Sequence, residues 1–229
     1  MTARVLGSYD EAVADTPDGA VVLVGGFGMA GMPVELIDAL IRQGATDLTV
    51  VSNNAGNGDT GLAALLAAKR VRKVVCSFPR QSDSWVFDGL YRAGEIELEV
   101  VPQGNLAERM RAAGAGIGAF YSPTGVGTPL AEGKEVKSFD GQDYILERGI
   151  FADIAIIKGW KADESGNLIF RKTARNFNQP AATCGKVCIA EVEEIVPAGE
   201  IDPHMVHTPG IYVDRIVPAD VLETQEESS

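Results

Sequence analysis

The sequence predicts an α/β fold: an open, mostly parallel sheet with flanking helices and an inserted β-hairpin. Short apolar runs rich in β-branched residues, such as 20–24 and 48–52, indicate strands that are buried on both faces. A segment with helical spacing, 34–41, lies between these two runs, and the same order recurs further along the chain. Because strands that alternate with helices pair in parallel through right-handed crossovers, this order predicts a layered sheet.

Each element follows from a local pattern. The turn Asp18-Gly19 ends the first helix, Pro33 suits the first turn of the second, and Gly44 ends it. Residues 136–146 alternate apolar and polar side chains around Asp140-Gly141, which predicts the hairpin. The predicted helices are 8–18, 34–41, 61–70, 84–93 and 106–112. The predicted strands are 20–24, 48–52, 71–77, 96–101, 119–122, 154–157, 168–170, 186–192 and 211–217.

Composition bounds the class of protein. The 229 residues show no linker and no internal repeat, so we expect one domain over 1–218 and an acidic, disordered tail over 219–229. A net charge of -12 argues against a surface for nucleic acid or anionic membrane. The N-terminus has no apolar signal-peptide region, so we expect a cytoplasmic protein. Its three cysteines, Cys76, Cys184 and Cys188, are predicted to be reduced and buried.

A glycine-rich loop follows the first predicted strand. Gly26, Gly28 and Gly31 spell G-x-G-x-x-G, a pattern typical of dinucleotide-binding turns. A nicotinamide site also needs an acidic residue at the end of the next strand, and Asn53 and Asn54 occupy that position. This substitution disfavours an NAD(P)-binding oxidoreductase. Two interpretations stay open: a loop that holds an anion at a helix N-terminus or approaches a ligand closely, and glycines that only permit tight packing.

Amide side chains follow two other predicted strands. Gln103 lies just after the strand 96–101, where it would present an N–H group to a developing oxyanion or would cap the next helix. Asn53 and Asn54 would donate to a ligand carbonyl or would close an Asx turn. The glycine-rich segment 114–128 suits close approach to a ligand or a second chain, or a structural loop.

Other polar clusters carry weaker signals. His204 and His207 lie among prolines with no cysteine nearby, so we predict no metal site. Arg171, Lys172 and Arg175 form a basic cluster that would meet an anionic ligand or would be a solvated surface.

Four long motifs together resemble the α subunits of the 3-oxoacid coenzyme A-transferases. They are "VGGFGMAGMPVELI", "VSNNAGNG", "VVPQGNLAERMRAAGAGIGAFYSPTGVGT" and "ADESGNLIFRKTARNFN", and the resemblance extends from Asp10 to Val217. It implies an open α/β fold and a ping-pong reaction through a glutamyl-CoA thioester. The family's nucleophilic glutamate lies in the β subunit, often before Asn-Gly, and this chain has no Glu-Asn pair. The resemblance therefore implies a β partner that carries the glutamate, an α2β2 assembly, and coenzyme A as a substrate without a permanently bound cofactor.

The resemblance also assigns roles to residues. Gln103 matches an oxyanion donor, and Asn53 and Asn54 match substrate-binding asparagines. The segment "CSFPRQSDSWVFDGLYRAGEIELEV" resembles the 3-oxoadipate branch, for which Arg80 is our candidate for the second carboxylate; an exposed loop arginine is the alternative. The remaining alternatives for function are acetoacetate or another short acid as substrate, and a non-catalytic scaffold role. The implied CoA-binding loop comprises Gly25, Gly26, Phe27, Gly28, Met29, Ala30 and Gly31.

Overall fold

The computed structural model describes residues 3–219 of the chain, which form one large sheet, one small sheet and flanking helices. The strands are β1 (Arg4–Val5), β2 (Val21–Val24), β3 (Leu48–Val51), β4 (Val71–Cys76), β5 (Glu97–Val100), β6 (Ala119–Ser122), β7 (Val136–Phe139), β8 (Gln142–Arg148), β9 (Ala152–Asp163), β10 (Leu168–Ile169), β11 (Gly185–Val196) and β12 (Arg215–Pro218). The α-helices are α1 (Tyr9–Val13), α2 (Val34–Gln43), α3 (Leu62–Ala67), α4 (Trp85–Arg92), α5 (Gln103–Gly114) and α6 (Asn178–Cys184).

The large sheet has the order β1-β12-β11-β9-β2-β3-β4-β5, and neighbours along this path are parallel. β10 adds to β9 in antiparallel orientation. Successive side chains of β2 enter different cores: Val22 and Val24 pack on one face, and Leu23 packs on the other. Leu36 of α2 belongs to the first core and Leu106 of α5 to the second, so helices cover both faces. The predicted fold class is confirmed.

The small sheet contains the predicted hairpin. Its order is β6-β8-β7, and all of its strands pair in antiparallel orientation. Asp140 and Gly141 connect β7 to β8 with φ angles of 51° and 79°, the backbone that a two-residue I′ turn requires.

Several predicted bounds were wrong, and each error has a physical cause. α5 begins at Gln103, three residues before the predicted start, because Pro102 precedes the first turn and Gln-Gly-Asn carries no apolar period. β9 and β11 are each 12 residues long, because their extended pairing continues past the apolar runs that predicted them. Residues 210–212 form a 3-10 helix where a strand was expected. α6 was missed because its sequence, NQPAATC, contains proline and little helical periodicity.

The predicted tail, 219–229, falls almost entirely outside the described residues. Ala219 is described, and its N–H donates to the Val192 carbonyl at 2.8 Å. The expected bounds of the domain and the disorder of the tail stay predictions. Within 3–219, no helix has both the length and the apolar character needed to cross a membrane.

Candidate active site

Four parallel strands end beside one another and place the predicted residues at the same edge of the sheet. The glycine loop follows β2, Asn53 follows β3, Ser77 follows β4, and Gln103 follows β5. In open α/β sheets this carboxyl edge is where ligands bind. It holds a cavity of about 540 Å³, called here the amide cavity. Its lining consists of Phe27, Gly28, Asn53, Ser77, Phe78, Gln81 and Gln103.

Hydrogen bonds fix the polar wall of the amide cavity. The Asn53 side chain is buried, and its Oδ1 accepts from Gln103 Nε2 and from Ser77 Oγ, both at 2.8 Å. The Asn53 carbonyl accepts from the backbone N–H of Phe78 at 3.0 Å. Gln103 donates one amide N–H to Asn53, and its amide forms no other hydrogen bond within 3–219. The second N–H of this oriented amide is therefore available to a ligand.

The lining of the amide cavity is neutral. It consists of amides, one hydroxyl, one glycine and two phenylalanines, and no lining residue carries a carboxylate. Phe27 and Phe78 are 48% and 57% exposed, so the cavity has an apolar rim in the isolated chain. A fixed neutral donor such as Gln103 suits the stabilisation of an oxyanion. The nucleophile of an acyl transfer must then reach this cavity from elsewhere.

Asn54 lies beside Asn53 but outside the lining. Its Oδ1 accepts from the Gly56 N–H at 2.9 Å, which is the Asx turn that the sequence left as an alternative. Its Nδ2 is buried and has no hydrogen-bond partner within 3–219. The structure thus separates the two asparagines: Asn53 orients Gln103, and Asn54 shapes the loop behind it.

The glycines of the loop serve different purposes. A Cβ at Gly25 would lie 1.9 Å from Asn178 Oδ1, and one at Gly31 would lie 2.6 Å from Asn178 Nδ2. A Cβ at Gly26 would lie 3.1 Å from the Met32 backbone. At Gly28, where φ is 58°, a Cβ would meet no atom within 4 Å. Three of these glycines therefore permit packing, and Gly28 alone among them faces open space at the cavity.

Asn178 is the residue that the loop packs against. It is fully buried, its Nδ2 donates to the Gly31 carbonyl at 2.8 Å, and its Oδ1 accepts from the Lys158 N–H at 3.0 Å. Asn176 Nδ2 donates to the Ala30 carbonyl at 3.0 Å. Two motifs that are far apart in sequence, "GGFGMAG" and "ARNFN", are thus in contact. Nothing in the local sequence indicates this contact.

The N-terminus of α2 is occupied by the protein's own carboxylate. The Leu36 N–H donates to Glu191 Oε2 at 3.1 Å, and Glu191 Oε1 lies 2.9 Å from Lys158 Nζ. Burial of Glu191 raises the pKa of its carboxyl group, and Lys158 opposes this shift. The same helix end holds the pyrophosphate in dinucleotide-binding folds. The expectation that this helix end is open to a ligand anion is therefore wrong.

Two predicted residues lie apart from the amide cavity. Arg80 Nε donates to Asp88 Oδ1 at 2.7 Å in an exposed ion pair, although its neighbour Gln81 lines the cavity. Met29 is 51% exposed at the tip of the glycine loop. The structure therefore brings Phe27, Gly28, Asn53 and Gln103 together and leaves Arg80, Asn54 and Met29 outside the lining.

Sequence reasoning missed Ser77, Phe78 and Gln81. Their position gives the signal that would have found them, because they directly follow β4 at the edge where Asn53 and Gln103 also lie. Phe78 and Asn54 even form a bridge in parallel orientation, which extends the pairing of β3 and β4 into the cavity wall.

The histidines and cysteines take structural positions. His207 Nδ1 accepts from the Phe170 N–H at 2.9 Å, and burial lowers the pKa of this imidazole. Within 3–219 no group of three or more potential metal ligands was found. The predicted state of the cysteines is confirmed: all three are free and buried, and burial raises the pKa of Cys76 and Cys184 to about 12.

A neutral cavity at the carboxyl edge of a parallel sheet, with an oriented amide donor, defines a ligand-binding α/β protein suited to acyl chemistry. The Coenzyme A transferase family model matches residues 7–219, and the chain belongs to this family. The resemblance found in the sequence is thereby confirmed.

Three comparisons give the detail. One of the two subunits of the 3-oxoadipate CoA-transferase of Pseudomonas putida is 62% identical over 217 residues, which cover 95% of this chain and 94% of that protein. The corresponding chain of the succinyl-CoA:3-ketoacid coenzyme A transferase of Xanthomonas campestris is 56% identical, covering 87% of this chain and 82% of the other. The acyl-CoA transferase YdiF of Escherichia coli O157:H7 has a TM-score of 0.82 at 26% identity, covering 95% of this chain and 47% of YdiF.

Proposed function

We propose that this chain is the α subunit of a CoA-transferase that moves CoA from succinyl-CoA to 3-oxoadipate. The family membership and the names of relatives that are 62% and 60% identical support this proposal. Relatives that are 56% identical are named for 3-ketoacids, so acetoacetate or another short 3-oxoacid is the alternative substrate. CoA is a substrate here, and we propose no permanently bound cofactor.

The observation that carries the proposal is the composition of the amide cavity. It offers an oriented N–H donor, Gln103, and no carboxylate. A reaction that passes through a glutamyl thioester needs both an oxyanion donor and a glutamate. We infer that this chain supplies the donor and that a β subunit supplies the glutamate, in an α2β2 assembly in the cytoplasm.

In the proposed reaction, the partner's glutamate attacks the thioester carbonyl of succinyl-CoA. Gln103 stabilises the oxyanion, the C–S bond breaks, and CoA leaves as a thiolate. The thiolate then attacks the resulting anhydride at the glutamyl carbonyl and releases succinate. The carboxylate of 3-oxoadipate repeats these steps in reverse and leaves as the CoA thioester, so each bond that is broken is matched by one that forms.

Gln103→Ala tests the role of the donor in the co-expressed subunit pair. Loss of one oxyanion donor typically lowers kcat by about 10²- to 10³-fold, so we expect that loss with little change in KM. Gln142→Ala is the matched control, because Gln142 is an exposed glutamine on β8 in the small sheet. Equal kcat values for Gln103→Ala and the control would contradict the proposed role.

The predicted CoA-binding loop and the predicted substrate residues stay part of the proposal. Phe27 and Gly28 line the amide cavity, which supports contact between the loop and the acyl end of CoA. Asn53 supports catalysis by orienting Gln103, whereas Asn54 has an unpartnered buried donor beside the site.

Arg80 is the proposed contact for the second carboxylate of 3-oxoadipate. It must exchange Asp88 for the substrate, and because both partners are exposed, the pair costs only about 0.2–1 kcal/mol to break. Arg80→Leu should lower kcat/KM for 3-oxoadipate relative to acetoacetate. Arg92→Leu is the control, because Arg92 also lies near Asp88, at 3.9 Å. A substrate ratio that Arg80→Leu leaves unchanged would remove Arg80 from the site.

A further inference from the structure

A second cleft lies on the other side of the glycine loop. It has a volume of about 300 Å³, and Ala30 and Gly31 form part of its wall, as Phe27 and Gly28 do for the amide cavity. Gly28 and Ala30 are two residues apart, which limits their separation to about 7 Å. One ligand with an extended arm is therefore able to contact both sides of the loop.

The second cleft is basic in a strongly acidic chain. Lys158, Arg171 and Lys172 line it together with one acid, Glu193, whereas the whole chain has a net charge of -12. Even when the buried Glu191 beneath Lys158 is counted, three cations face two carboxylates, which leaves a net charge of +1.

Two of the three cations are weakly neutralised. Arg171 Nη1 lies 3.5 Å from Glu193 Oε2, and both side chains are about half exposed. Lys172 forms no ion pair within 3–219. Its backbone has a φ of 51°, a left-handed conformation that costs about 1 kcal/mol in a residue other than glycine. The structure therefore maintains a strained, unpaired lysine at the wall of this cleft.

The basic segment is attached to the glycine loop. Asn178 Nδ2 donates to the carbonyls of both Gly31 and Ala174, and Asn176 Nδ2 donates to the Ala30 carbonyl. Because these bonds join the segment that carries Arg171 and Lys172 to the loop, the cations and the amide cavity keep a fixed relative position.

An aromatic ring completes the cleft. Trp160 is one of its lining residues, and Arg171 Cζ lies 5.9 Å from the centre of the indole ring. A guanidinium stacked on an aromatic ring keeps its N–H groups directed sideways, where they bind phosphate oxygens. The helix end that would otherwise hold a phosphate is occupied by Glu191.

We propose that the basic cleft, formed by Lys158, Trp160, Arg171 and Lys172, binds the phosphates at the nucleotide end of CoA while the acyl end occupies the amide cavity. The charge, the unpaired lysine and the shared loop carry this inference. It rests on the proposed function, because it names the part of CoA that each side of the loop binds.

The test compares two acyl donors in the co-expressed subunit pair. Succinyl-CoA carries the phosphates, whereas succinyl-pantetheine carries the same thioester without them. The double variant Arg171→Gln/Lys172→Gln should lower kcat/KM for succinyl-CoA by about tenfold, equivalent to 1.4 kcal/mol. It should leave kcat/KM for succinyl-pantetheine within about twofold of the wild type. Arg175→Gln is the matched control, because Arg175 belongs to the same segment but bonds to Gln179 at 3.1 Å and does not line the cleft.

A direct binding measurement keeps this inference separate from the proposed function. Calorimetry with 3′-phosphoadenosine 5′-diphosphate should show binding to the wild-type pair and at least tenfold weaker binding to the double variant. This result would support the cleft even if the pair transferred no CoA. Equal losses with both acyl donors, unchanged binding of the nucleotide, or dissociation of the subunits in the double variant would each overturn the inference. The last outcome would make the cleft a subunit interface.

Discussion

Substitution of single glycines in the loop separates packing from access to the ligand. In Gly25→Ala, the new Cβ would lie 1.9 Å from Asn178 Oδ1 and 2.8 Å from Asn178 Cγ. Gly25 is not among the residues with positive φ, so alanine has no backbone strain at this position. Gly28 is the opposite case: its φ is 58°, and a Cβ would meet nothing within 4 Å.

The expected magnitudes differ accordingly. Asn178 is fully buried and holds three backbone groups, so it cannot move without loss of hydrogen bonds. Overpacking costs about 1–3 kcal/mol and an unsatisfied buried group costs a further 1–3 kcal/mol. We therefore expect Gly25→Ala to cost about 3 kcal/mol or more. The left-handed backbone makes Gly28→Ala cost about 1 kcal/mol.

Thermal unfolding of the purified chain measures this difference. In a chain of this size, 1 kcal/mol corresponds to a Tm shift of about 2–4 °C, so Gly25→Ala should lower Tm by about 6 °C or more and Gly28→Ala by about 2–4 °C. In the subunit pair, Gly28→Ala should nonetheless lower kcat/KM, because its Cβ projects toward the amide cavity. Equal Tm losses for the two variants would refute the assignment of Gly25 to packing and of Gly28 to ligand access.

Two further predictions concern ionisation. Burial raises the pKa of Glu191 above 4.5, so the stability associated with its protonated form is present below that pH and is lost as pH rises. Urea unfolding between pH 4 and 7 should therefore show the wild type losing free energy of unfolding relative to Glu191→Gln; the reverse slope would contradict this assignment. With pKa values of about 12, Cys76 and Cys184 are about 10⁻⁴ thiolate at pH 8, and the pKa of Cys188 is also raised. A thiol reagent should label no cysteine in the native chain and three after unfolding, and rapid native labelling would show that a cysteine is accessible.

The sheet could be predicted from the sequence because its strands are short apolar runs between glycine turns. The predicted runs 20–24 and 71–77 match β2 and β4 to within one residue at each end. β9 and β11 were underestimated because half of each strand has polar residues, and pairing between the two strands determines where they end. A pattern read along one chain does not contain that pairing.

The site was predictable where it depends on strand ends. Asn53 and Gln103 follow β3 and β5, and parallel pairing places them at one edge. The hydrogen bond between them joins residues 50 positions apart, so no local pattern indicates it. The same limit applies to Asn178 beneath the glycine loop and to Glu191 at the end of α2.

The glycine motif shows how local and tertiary causes overlap. Its spacing is that of a dinucleotide loop, but Gly25 and Gly31 are required by Asn178, and the adjoining helix end binds Glu191. Only the environment of Gly28 leaves room for a ligand. A sequence pattern therefore predicted the position of the turn, and the packing around it determined which glycine faces the cavity.

The central claim is that this chain supplies the amide side of the site and that its partner supplies the nucleophile. Intact-mass spectrometry of the co-expressed pair after brief exposure to succinyl-CoA tests this claim directly. We predict a covalently attached CoA on the partner chain and none on this chain. A CoA adduct on this chain, or transfer of CoA by this chain alone, would contradict it.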